Sequence, residues 1–170
     1  MNKPNPPTDV INHLAGLESG DRLAELRNQR SDVATYAQGS FATLLDPEEP
    51  AGLSRGEREL VALRVATLNA NPTLAAFHRQ RLEALGVAPT TVAAVATFPA
   101  TEAFTQREAA ILRHVDLLTN EPRAASRAEI AALQEAGLST PAIVTLAQLV
   151  AYLSFSVRLL AGLRILGEGE

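Results

Sequence analysis

Four polar side chains of one short stretch have the types and spacing that acid–base chemistry requires. Glu59, Asn71, His78 and Arg81 fall within Leu53 to Val87, LSRGERELVALRVATLNANPTLAAFHRQRLEALGV. An imidazole such as His78 is a usable base near neutral pH. Glu59 can take part in proton transfer if partial burial beside Ala62 and Ala66 raises its pKa. The amide of Asn71 can donate to a carboxylate or enolate, and Arg81 adds a cation for an anionic substrate. Arg158 lies in the most apolar part of the chain, where an unpaired charge is costly. It therefore calls for a carboxylate, either Glu59 or one from a partner subunit, or else for an anionic substrate. Each residue also has a purely structural reading. Glu59 can pair with an arginine or cap a helix, His78 can be a hydrogen-bonded core residue, and Asn71 can cap the helix opened by Pro72. For Asn71 the cap is the preferred reading, and for Arg158 the ion pair.

Other chemistries are excluded by composition. The 170 residues contain no cysteine, which removes disulfides, thiolate nucleophiles, thiolate metal sites and iron–sulfur clusters. His13, His78 and His114 are far apart and form neither HxxxH nor HExxH, so no metal and no cofactor is expected. The net charge is -4 and the basic residues are scattered, which argues against a nucleic-acid partner. The polar, proline-rich start MNKPNPPTDV carries no apolar signal region, so a cytoplasmic protein is expected.

The elements that must position these residues read as helices. Hydrophobic residues make up 46% of the chain but aromatics only 4%, so the core is built from Ala, Leu and Val. Such residues favour helices and let them approach closely. No segment alternates with period two, and the fold class is all-α. Residues 1–8 read as a flexible tail and 9–50 as an N-terminal helical extension; 51–170 reads as the helical core. Short helices are expected from Thr8 or Asp9 to a break at Gly20, and over Asp21–Arg30. A third covers Ser31–Leu45, capped by Ser31-Asp32. Ser54 with Glu57 forms a capping box for Arg55–Leu68. Along that helix Glu59, Ala62 and Ala66 form a narrow stripe, opposite a broad apolar side of Leu60, Val61, Leu63, Val65 and Leu68. Pro72 opens a helix to Leu85, closed by Gly86, whose inner face carries Leu74, His78, Leu82 and Leu85. Further helices are expected over Pro89–Phe98, Gln106–Thr119 (capped by Thr105), Arg127–Ala136 (capped by Ser126 with Glu129) and from Pro141 to about Leu166.

Two halves echo each other at an offset of 49–51 residues, Arg58-Glu59-Leu60 against Arg107-Glu108-Ala109 and Glu83–Val87 against Gln134–Leu138. The last helix, PAIVTLAQLVAYLSFSVRLLAGLRIL, is apolar nearly all round. Thr145, Gln148, Ser154, Ser156 and Arg158 interrupt it, which argues against a membrane span. A central core helix is one reading. A helix that packs the core on one face and a partner subunit on the other is the preferred one, and it predicts a homo-oligomer.

The stretch Leu53–Val87 resembles the carboxymuconolactone decarboxylase and AhpD-like alkylhydroperoxidase family. Its redox members carry a Glu followed, after a short spacer, by Cys-x-x-Cys-x-x-x-His. Here Glu59 and His78 stand at the Glu and His places with matching spacing, while the cysteine places fall on Asn71 and Leu74. LSxxERELVALxVAxLN, LAAFH, LxxLGV, REAAILRHVDLLTNEP and YLSFSVRL fit as well, and DVINHLAGLESGDRLAELRNQRSDVATYAQGSFATLL is similar to the N-terminal part of a two-part subgroup. The resemblance implies an AhpD-like helical domain. In the redox members a thiolate attacks peroxide, a second cysteine resolves it, and Glu and His relay protons. Without cysteines that peroxidase chemistry is impossible here. What the resemblance leaves is an acid–base site at Glu59 and His78, with Asn71, Arg81 and Arg158 as candidate substrate contacts. It implies either a cofactor-free lyase or isomerase for a small carboxylated molecule, or a non-catalytic scaffold or accessory subunit.

Overall fold

The caps read from the sequence fix most helix starts. In the computed structural model, which describes residues 8–168, Ser54 accepts from the Glu57 amide and Glu57 returns the bond, and Thr105 with Glu108 and Ser126 with Glu129 do the same. The helices are α1 (Val10–Ala15), α2 (Arg22–Asn28), α3 (Ser31–Leu45), α4 (Arg55–Leu68) and α5 (Pro72–Ala84). They continue as α6 (Pro89–Ala94, extended by a 3-10 turn Val95–Thr97), α7 (Gln106–Asn120), α8 (Arg127–Glu135) and α9 (Thr140–Gly167). No strand occurs among the described residues, so the chain is all-α, as expected. Of the tail expected over Met1–Thr8, all but Thr8 lies outside the described residues.

Three local expectations are corrected. The first helix stops at Gly16, whose φ of 67° only glycine adopts freely, rather than at Gly20. Ser31 is the first residue of α3 rather than its cap, and Arg30 precedes it without a side-chain cap bond. The helix read over Pro89–Phe98 is α-helical only to Ala94.

α4 is the axis of the molecule. It packs on α5, α7 and α9, and its residues from Arg58 to Ala66 are buried without interruption. The sequence suggested one broad apolar face and one narrow stripe packed against another helix; both are interior, and Glu59 is buried fully rather than partly. Val61, Ala62, Val65 and Ala66 join the main core with Leu74, Ile111, Val115, Leu146 and Leu149. Leu60 and Leu63 join a smaller cluster with Leu82, Val92 and Val95. The alanines permit close helix approach, so one helix serves two cores. α9 is long and apolar enough to cross a membrane by length and composition. Here it packs against α1, α3, α4, α7 and α8, with Ala142, Leu146, Leu149 and Leu153 buried.

The internal repeat pairs α4–α5–α6 with α7–α8–α9. Its true offset is set by the capping boxes, Ser54 and Glu57 matching Thr105 and Glu108, and by the left-handed glycines Gly86 and Gly137. The Val87 amide donates to Leu82, as Leu138 does to Leu133. In this register Glu59 matches Ala110 and not Glu108, so the carboxylate belongs to one half alone.

Two buried arginines were not foreseen as structural. Arg58 donates to the carbonyls of Leu53, Leu44 and Pro50 at 2.8, 2.6 and 2.6 Å, tying α4 to the end of α3 and the following loop. Arg64 pairs with Asp116 at 2.6 Å and donates to the carbonyls of Val95 and Phe98, which commits it to the fold and not to a substrate.

Candidate functional site

α4 and α5 form an antiparallel pair, and the turn Asn69-Ala70-Asn71 sets their register. Asn71 is the N-cap of α5, its side chain accepting from the Leu74 amide at 3.0 Å. This is the preferred sequence reading, and it gives the amide oxygen a structural task. Two turns on, His78 faces Glu59 of α4. The carboxylate Oε2 lies 2.7 Å from His78 Nδ1, and both residues are buried, at 0% and 1% exposure. The second oxygen, Oε1, accepts from Arg81 Nε at 2.7 Å. Arg81 also reaches Asp46, just beyond α3, with Nη2 at 3.5 Å from Oδ2. A chain of polar contacts thus runs Asp46, Arg81, Glu59, His78, from the end of α3 into the centre of the molecule.

Aromatic rings hold this chain in place. The Arg81 guanidinium lies over Phe41 and Phe77, 5.3 and 5.6 Å from their centroids. The Phe77 and His78 rings meet edge to face at 5.1 Å. Leu74, at one of the two places that the resemblance aligns with cysteine, is 2% exposed and part of the main core. Of the inner face expected for α5, Leu74, His78 and Leu82 are buried, but Leu85 at the helix end is 46% exposed.

The structure therefore joins Glu59, His78 and Arg81 directly and places Asn71 one turn below Leu74. Arg158 is not at this carboxylate. It is exposed on α9 and donates to the Ser154 carbonyl at 2.8 Å, so the burial that called for a counter-ion does not arise. Arg79 is also exposed. The residue that sequence reasoning missed is Asp46, whose only local signal was its place before Pro47. Arg81 was read as a substrate cation, whereas it is the arginine partner that the structural reading of Glu59 required.

Away from this cluster, burial lowers the pKa of His114 in α7, partly opposed by the charge of Glu129. Its Nδ1 has no hydrogen-bond partner among the described residues. Burial also pushes the Tyr152 hydroxyl up to about 12. Burial alone would raise Glu57, yet its bonds from Arg107 and Ser54 leave it below the ordinary carboxylate value.

Residues 33–116 match the carboxymuconolactone decarboxylase family. No curated protein matches the chain. Among solved structures the fold is similar to an uncharacterized peroxidase-related protein from Silicibacter sp. TM1040, with TM-score 0.73 and 15% identity over 90% of this chain and 78% of that one. It is also similar to an alkylhydroperoxidase AhpD core protein from Ralstonia eutropha JMP134, with TM-score 0.71 and 20% identity over 87% and 76%. A third is a cysteine-to-alanine variant of the debrominase Bmp8 in complex with 2,3,4-tribromopyrrole, with TM-score 0.71 and 16% identity over 90% and 79%. At these identities the likeness is one of fold, and it bears out the AhpD-like architecture.

Proposed function

We propose, on the premise that residues 33–116 belong to the carboxymuconolactone decarboxylase family, that this chain uses its Glu–His pair as part of a structural ion network and acts as a non-catalytic binding or accessory subunit. One observation carries the reading. Each oxygen of the buried Glu59 has a partner, His78 on one and on the other an arginine packed against two phenylalanines, with Leu74 filling core space alongside. A carboxylate buried at 0% exposure with a partner on each oxygen holds α4, α5 and the end of α3 together. Burial closes it to a substrate unless one of these bonds opens.

The test is a concerted apolar replacement. Glu59→Leu or His78→Leu alone strands a buried partner and is expected to cost about 3–5 kcal/mol. The triple variant Glu59→Leu, His78→Leu, Arg81→Met removes the whole network and is expected to regain most of that loss in urea unfolding, because buried ion clusters are often replaceable by packed hydrocarbon. A triple variant as unstable as the singles would count against a purely structural network.

A second reading is favoured by the direct Glu59–His78 bond. With Nδ1 held by the carboxylate, the imidazole is oriented and Nε2 is the nitrogen left to exchange a proton. In this reading His78 is the acid–base group of a lyase or isomerase for a small carboxylated molecule. Glu59 orients it, and Arg81 turns from Glu59 to the substrate carboxylate. The debrominase of the same fold holds a small flat ring, which makes ring carboxylates the first compounds to try. His78 ring resonances should move on adding them, and any turnover should vanish in His78→Gln. Resonances that stay in place at millimolar ligand leave the structural reading in the lead.

A further inference from the structure

We propose that His114 is a proton-operated latch: taking up a proton on this buried ring releases α8 from α7 while the rest of the fold stays in place. The latch does not depend on how the buried Glu59 cluster is read. The internal repeat supplies the comparison. In the register of the capping boxes, the small cluster of Leu60, Leu63, Leu82, Val92 and Val95 in the first half matches Ile111, His114, Leu133, Ile143 and Leu146 in the second. All five residues of the second half are buried, and the four apolar ones belong to the main core. Leucine meets the packing need at this place, as Leu63 shows, so His114 puts a titratable ring where the first half has hydrocarbon. The ring is 5% exposed, and its Nδ1 has no hydrogen-bond partner among the described residues. The neutral ring is tolerated there. Its cation would carry an N–H at Nδ1 with no acceptor, in surroundings that penalise charge.

The elements packed on α7 offer that cation little relief. α9 carries no ionisable side chain before Tyr152. On α4, Arg55 donates to the Pro47 carbonyl and Arg58 to three others, while Glu57 is bonded to Arg107, Glu59 to His78 and Arg81, and Arg64 to Asp116. Arg113, Glu121, Arg123, Arg127 and Glu135 are exposed. Glu129 of α8 is the anion whose charge acts on His114, and it favours the cation. Its Oε2 is already engaged, however, accepting from the Ser126 amide at 3.0 Å and from the Ser126 hydroxyl in the capping box of α8. A protonated Nδ1 is therefore satisfied either by drawing this carboxylate out of the box or by admitting water between α7 and α8. Both loosen the first turn of α8. That helix is weakly held: of its nine residues Leu133 alone is buried, and Ile130 is 38% exposed. Beyond its far end, Arg107 ties the Gly137 carbonyl to Glu57 and the Gly52 carbonyl, so the chain entering α9 stays anchored when α8 lets go. Release of one short helix is the kind of local opening that precedes global unfolding.

Backbone amide exchange of the full chain, followed from about pH 8 to about pH 5 and corrected for the pH dependence of the exchange chemistry, tests the latch. Protection across Arg127–Glu135 is expected to be flat above pH 6.5 and to fall below it. The fall should approach about tenfold per pH unit down to the lowered docked-state value, because the docked ring binds its proton less readily than the released one. Amides of α4 and α5 should not follow. His114→Leu installs the residue type that the first half carries, and it is expected to remove the pH dependence and keep α8 protected. The ring itself gives a second measurement on the unaltered chain: with three histidines in all, the His114 resonances can be followed singly and should titrate below 6.5. A ring that titrates at 6.5 or above overturns the proposal. So does α8 protection that stays flat at acid pH, or that falls as steeply in His114→Leu. Loss of protection in every helix at once overturns it as well, since release of α8 would then be no separate event. Should His114→Leu fail to fold, the ring titration and the confinement of the loss to α8 decide.

Discussion

Arg58 is the residue whose removal should be felt most outside the Glu59 network. Its guanidinium holds three backbone carbonyls, those of Leu53, Leu44 and Pro50, and it is 1% exposed. Arg58→Met keeps the volume but leaves these acceptors without a donor, a loss of about 3–9 kcal/mol at ~1–3 kcal/mol for each buried unsatisfied group. A urea midpoint unchanged from wild type would show that water replaces the guanidinium at no cost. His114 gives a pH-dependent counterpart. Its folded-state pKa is lowered from 6.5, so the folded protein binds this proton less readily than the unfolded chain. The contribution of the neutral ring is complete above pH 6.5 and is lost as pH falls through the lowered folded value. Unfolding free energy should therefore drop as pH falls below 6.5, and His114→Leu should flatten that slope. None of these roles could be read locally. Arg58 looks like an ordinary first-turn helix residue, because its acceptors belong to other segments of the fold. Glu59 and His78 were legible because their spacing survives within one helix pair. Arg81 drew notice for its charge, but its partner became evident only once α4 and α5 were docked.

The helices were legible where their ends are specified by side chains of the same segment. Ser54, Thr105 and Ser126 bond amides two or three residues away, and each stands where the sequence placed it. The misses are ends and faces decided by tertiary contact, such as the exposed Leu85 and the burial of Arg58 and Arg64 on α4. Arg107 shows how the repeated halves are joined across such ends. It donates to Glu57 at 2.6 Å and to the carbonyls of Gly137 and Gly52 at 2.8 and 2.7 Å, linking the start of α4 to the turn before α9. Burial taken alone would raise the Glu57 carboxyl, but the Arg107 and Ser54 bonds more than offset it, so the folded-state pKa is lowered from 4.5. A lowered carboxyl contributes stability that is present above pH 4.5 and lost as pH falls through the folded value. Arg107→Met removes the main favourable partner and leaves the burial. Acid unfolding of this variant should begin at higher pH than in wild type, read from ellipticity across the titration. An acid limb that coincides with wild type would show that Glu57 is not coupled to folding through Arg107.

At the scale of the whole molecule, the sequence suggested an N-terminal extension over 9–50 set apart from a core over 51–170, and packing bears on that division. Val10, Ile11, Phe41 and Leu45 are each 1–2% exposed and belong to the same cluster as Val61, Leu146 and Leu149. Arg58 reaches back to Leu44, and Arg81 stacks on Phe41 and reaches Asp46, so polar bonds cross the same boundary. Four buried side chains at about 1.5–3 kcal/mol each sum to roughly 6–12 kcal/mol, comparable with the ~5–15 kcal/mol that holds a whole domain. A fragment of residues 51–170 should therefore lack a cooperative thermal transition, although it contains both pseudo-repeats and the entire Glu–His pair. The full chain should unfold in one step, with circular dichroism and the Tyr36 and Tyr152 signals coincident. A fragment with a sharp transition of its own would restore the two-part division, and α1–α3 would then be a detachable cover over an independently folding repeat pair. The joint core argues for one cooperative unit, in which α3 packs against α9 and Asp46, just beyond its end, joins the chain of polar contacts.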